Sequence, residues 1–146
     1  MSKDIITLIK LNTVHLYLDK NKSIIYFDVL SSTYSKENFI LVLEYFKNFW
    51  LLAQEDNKKY FLLIKINSIG VYPLNFYTNL VNYLNELNHI FEKNLHSCVF
   101  MCSTASPLII LKPLFTLYKF IRPYKMCTTY EEALVYFNKK ENQIVS

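Results

Sequence analysis

The chain has 146 residues, 52% of them apolar and 19% charged, with a formal net charge of +4. That length suits one domain with a sizeable core, and the composition excludes a disordered chain. A single glycine, Gly70, excludes the phosphate-cradling loops that need two or three, so neither a Walker loop nor a G-x-G-x-x-G turn can be written.

The first third reads as strands. Ile5–Leu11 is apolar and β-branched, and Thr13–Asp19 alternates with Val14, Leu16 and Leu18 on one face. Ser23–Val29 follows a polar turn at 19–22, and the three together predict an antiparallel meander. After a loop rich in N-cap residues, Phe39–Ala53 has helical spacing but is apolar nearly all round. Tyr60–Ile66 reads as a strand covered on both faces. Pro73 then opens an amphipathic helix whose apolar stripe runs from Leu74 to Phe91.

His96–Ser103 is expected as a buried strand. Leu108–Ile121 is expected as a helix that Pro113 kinks or divides and that Arg122-Pro123 stops. Tyr124–Cys127 reads as a short strand. Thr129-Tyr130-Glu131-Glu132 is a capping box opening a last helix through Phe137, and 140–146 is expected as a tail. The alternation predicts the α/β class, with one domain over 1–139. Its sheet is mixed, antiparallel at the N-terminus and parallel after it, with about four helices.

The order of three strands, then helix–strand–helix–strand–helix–strand–helix, resembles the STAS domain, found in anti-sigma-factor antagonists and at the cytoplasmic ends of sulfate transporters. The likeness covers about 23–137, and its best local piece is the short strand feeding the Glu131-Glu132-Ala133-Leu134 helix. It implies a regulatory interaction module. The Asp-Ser-Ser/Thr-Gly motif that carries the phosphorylated serine in STAS antagonists has no counterpart, because the matching stretch is Tyr72-Pro73-Leu74-Asn75-Phe76. The lipid-binding CRAL-TRIO domain, a longer α/β sandwich, is the nearest competitor.

Asn, Lys, Ile, Tyr and Phe make up 66 of the 146 residues, the composition an AT-rich genome writes, such as that of a large virus, a protist or a small bacterium. Fifteen lysines stand against one arginine, Arg122, and no Asp or Glu lies between Lys93 and Tyr130. Three cysteines, Cys98, Cys102 and Cys127, do not pair evenly. With no signal-peptide pattern and no long apolar span, the expected location is intracellular and cytoplasmic, with free thiols.

His96, Cys98 and Cys102 have the spacing of one strand face, with Cys127 expected on the neighbouring strand. No C-x-x-C knuckle accompanies them, so metal is not expected. Asp28, Ser31, Ser32, Ser68, Ser103 and Thr104 fall in loops at the carboxyl edge of the expected sheet, where α/β folds bind ligands. Helix capping explains the same residues. His15, His89 and His96 lie in separate elements with no motif around them, so neither catalysis nor a cofactor is expected. One arginine is too few for an aromatic–basic nucleic-acid surface.

The informative surplus is apolar. A helix on a sheet hides about half its circumference, and both Phe39–Ala53 and Leu108–Ile121 exceed that. Tyr34, Tyr45, Phe49, Phe115, Tyr118 and Phe120 are the expected interface. The reading is a non-enzymatic module docking a protein partner or a second copy. The alternative is a peripheral lipid- or membrane-surface protein using helix 107–122, with Lys112, Lys119, Arg122 and Lys125 against anionic head groups.

Overall fold

A computed structural model describes residues 4–30, 35–67, 73–102 and 108–145. Its elements run β1 (Ile5–Lys10), β2 (Val14–Asp19), β3 (Ile24–Val29), α1 (Lys36–Glu55), β4 (Tyr60–Ile66), α2 (Leu74–Asn94), β5 (Leu95–Cys102), α3 (Leu108–Leu117), β6 (Tyr124–Cys127) and α4 (Tyr130–Val145). The six strands form one sheet in sequential order, antiparallel from β1 to β3 and parallel from β3 to β6. The protein is therefore an α/β sandwich with a mixed sheet and, among the described residues, four helices.

Alternation along the strands divides the side chains between two layers. Leu16, Leu18, Ile25, Leu62, Ile66, Cys98 and Phe100 pack beneath α1, α2 and α3, which supply Phe46, Trp50, Val81, Ile90, Leu111 and Leu114 among others. On the opposite face Ile24, Tyr26, Phe61, Leu63 and Val99 meet Ala133 and Phe137 of α4. Three helices thus share one face and a single helix covers part of the other.

Local chemistry fixes the joints. The Asp19 carboxylate accepts from the backbone N–H groups of Asn21 and Lys22, closing the β2–β3 turn as an Asx turn. Ser35 caps α1 by accepting from the Asn38 N–H. At the other end Lys58 donates to Ala53 and Asn57 donates to Gln54, with Asn57 at φ 55°. That is a Schellman ending in which asparagine takes the left-handed position usual for glycine. The Thr129 hydroxyl accepts from the Glu132 N–H, the N-cap half of the predicted capping box, while the Glu132 carboxylate accepts from the Thr128 and Thr129 hydroxyls.

Three boundaries differ from expectation. The last helix runs past Phe137 to Val145, so 140–145 is not a tail; no proline or glycine interrupts it, and Lys140 lies over the Tyr136 ring one turn back. α3 ends at Leu117 rather than Ile121, and Pro113 sits inside it without dividing it. α2 passes into β5 with no intervening loop.

Asn94 makes that junction possible. Buried at the end of α2, its amide donates to the carbonyls of Ala53 and Lys58 at 3.1 and 2.7 Å, tying the α1 ending to the start of β5. Asn94→Ala leaves the Lys58 carbonyl without this donor and is expected to cost about 2–3 kcal/mol. Urea unfolding of parent and variant at equal pH checks this, and a difference below about 0.5 kcal/mol contradicts the role.

Candidate functional site

Between the sheet and the three-helix layer lies an apolar cavity of about 150 Å³. Phe27, Leu62, Ile64 and Ile66 form its floor. Phe39, Leu43 and Phe46 of α1, Phe76, Leu80 and Leu84 of α2, and Leu111 and Leu114 of α3 form its walls. Arg122 lines one end, beside Leu95 at the start of β5.

Arg122 is held in place. Its Nε donates to the Leu95 carbonyl at 2.9 Å and an Nη to the His96 carbonyl at 3.3 Å. These use two of its five N–H donors, and no carboxylate pairs with it among the described residues.

The opposite face carries a polar cluster beside the first turn of α4. Tyr17 and Tyr26 are cross-strand partners whose rings stack with centroids 4.6 Å apart. The Tyr26 and Tyr130 hydroxyls lie 2.6 Å apart. The Tyr17 hydroxyl donates to Asp28 Oδ2 at 3.3 Å, and Lys65 Nζ lies 3.9 Å from the same oxygen. Asp28 Oδ1 is buried without a hydrogen-bond partner among the described residues. His15 Nε2 lies 3.1 Å from the Thr7 hydroxyl, a pairing that the sequence pattern did not suggest. Asp28 is the cross-strand partner of His15, but among the described residues no hydrogen bond joins them, so no hydroxyl–imidazole–carboxylate relay is assembled there.

Burial raises the Asp28 carboxyl above its ordinary range, against the smaller pull of Lys65 and the Tyr17 hydrogen bond. Burial, then Lys10, lowers His15. Burial, then Lys59, lowers His96, and burial pushes the Tyr118 hydroxyl up to about 12. Burial likewise raises all three cysteines, which are free and keep their protons.

The expected shared face of His96, Cys98 and Cys102 is not formed. Tyr60 pairs with Leu95 but Leu62 pairs with Cys98, so β5 carries a bulge over residues 96–97. The extra residue turns His96 to the α4 side, where it stacks on Phe61 at 4.7 Å, while Cys98 and Cys102 remain under the helices. Cys127 lies in the α4 layer.

The predicted interface also separates. Phe49 and Tyr118 are buried, and the Tyr118 hydroxyl donates to Asn88. Phe115 and Phe120 are half-buried and pack on Phe100 and Tyr124. Tyr45 alone of the described members is exposed. Tyr34, Ser31, Ser32, Ser68, Ser103 and Thr104 lie outside the described residues. Lys112 and Lys119 are exposed, but Arg122 turns to backbone carbonyls, and Lys125 lies over Tyr136 of α4 on the other layer.

No family model, no curated protein and no solved structure matches this chain.

The folded state favours protonated Asp28, because its pKa there exceeds the ordinary value of 3.8. Its contribution to stability is therefore fullest below 3.8 and is lost as pH rises through the higher folded value. Asp28→Asn keeps an acceptor for Tyr17 and removes the titration. Urea midpoints are expected to match the parent below pH 3.8 and exceed it near neutrality. An equal shift at both pH values contradicts the assignment.

Proposed function

We propose that the chain is a non-enzymatic interaction module that docks a protein through the edge formed by α1 and β1. The supporting observation is one row of α1. Leu41, Tyr45 and Leu52 share a helix face at spacings of four and seven and are exposed by 40, 42 and 59%. The flank toward α2 is marked by Lys47, which pairs with Glu86 of α2 at 3.9 Å. The Leu41 row lies on the other flank, where α1 overhangs β1 and β2. There β1 is the terminal strand of the sheet, and it exposes Ile6.

A terminal strand beside an apolar helix row suits an isologous contact between two copies, because each surface can meet its own image about a two-fold axis. The STAS-like element order supports the same regulatory reading without any phosphorylated serine. Light scattering on eluting fractions tests it. The parent is expected above monomer mass, with Leu41→Glu/Leu52→Glu at monomer mass and unchanged in circular dichroism. A parent that stays monomeric at every concentration removes the self-docking form of the proposal.

A second reading, contact with an anionic membrane surface, is supported by Leu117 and Ile121, both exposed beside Lys119. In flotation on anionic vesicles, Lys112→Glu/Lys119→Glu is expected to reduce binding severalfold. Unchanged binding ends that reading.

A further inference from the structure

The geometry points to the apolar cavity as the site for the hydrocarbon of a single-chain amphiphile, with a carboxylate head group held by Arg122. The cavity's sheet side is lined by Phe27 of β3, Leu62, Ile64 and Ile66 of β4, and Leu95 and Phe100 of β5, so the space lies over three adjacent strands. Its volume of about 150 Å³ matches that of a dry engineered cavity that takes up benzene, and its lining is almost wholly apolar. An apolar space of this size suits a short unbranched acyl chain.

Arg122 defines the other end of the ligand. Its guanidinium is half-buried at the cavity wall and oriented by the Leu95 and His96 carbonyls. Three of its N–H donors have no acceptor among the described residues. A cation in such surroundings favours an anion, and a fork of parallel donors matches a carboxylate. Among the described residues the lining carries no carboxylate to pair with an amine.

Calorimetric titration of the full chain with octanoate and with octanol separates chain from head group. Octanoate is expected to bind saturably at one site, and octanol about tenfold more weakly, the size of a charge-assisted hydrogen bond. Arg122→Gln is expected to lower octanoate to the octanol level and leave octanol unchanged. Leu84→Trp, which fills the cavity from α2, is expected to abolish both. The parent comparison needs no variant, so a folding defect in Arg122→Gln does not protect the proposal. Equal affinity of the parent for octanoate and octanol overturns it, as does the absence of saturable octanoate binding. Octanoate binding that survives Leu84→Trp also overturns it, because the ligand then sits elsewhere.

Discussion

The sequential order of the parallel strands governs everything else in the molecule. Each step from β3 to β4, β5 and β6 moves one strand sideways in the same direction. Crossovers of one hand must then place α1, α2 and α3 on the same face. The opposite face receives only the segment after β6, and α4 is too narrow to cover six strands. One layer is therefore crowded with helices and the other is left partly to its own side chains. On that second face Tyr17 and Tyr26 stack their rings over the sheet, and the Tyr26 hydroxyl meets that of Tyr130 at the first turn of α4.

The ring-rich composition explains why the crowded layer still contains a void. Phe46, Phe49 and Phe91 meet Trp50 edge-on, with centroids 5.1–6.0 Å apart. Phe100 meets Phe115 and Phe120 in the same way. Edge-to-face rings fix one another's orientation and offer few rotamers into which to relax. Aliphatic walls can collapse into a cavity more readily than rings braced from behind. The cavity lies between the Phe46–Trp50–Phe91 group and the Phe100–Phe115–Phe120 group, so neither can close it without breaking its own contacts.

Element type and order were legible in the sequence because the apolar period changes from two to nearly four at each joint. The parallel half of the sheet followed from that alternation. Two kinds of feature were hidden. The β5 bulge inserts a residue that alternation cannot register, so His96 was assigned to the face of Cys98 when it belongs with Phe61. The fate of the apolar surplus was hidden for another reason. Whether Phe49 or Leu52 turns inward depends on which flank of α1 meets α2, and only the assembled layer decides this. A sharper use of alternation would have found the tyrosine face, since Tyr17, Tyr26 and Asp28 all sit out of phase with Leu16, Leu18 and Ile25. The role of Arg122 depends on carbonyls 26 and 27 residues away, which no local pattern encodes.

Helix α1 belongs to both surfaces that carry functional argument. Phe39, Leu43 and Phe46 face the cavity, and Leu41, Tyr45 and Leu52 form the outer row. These rows are interleaved on one helix of 20 residues, capped by Ser35 and closed by the Asn57 turn that Asn94 braces. Such a helix moves as a body more easily than it bends. A displacement that widened the cavity toward α1 would therefore carry the outer row with it relative to the β1 edge. The proposed occupancy inside and the proposed docking outside would share one mechanical element, because the helix that packs on β1 and β2 is the one that would have to move.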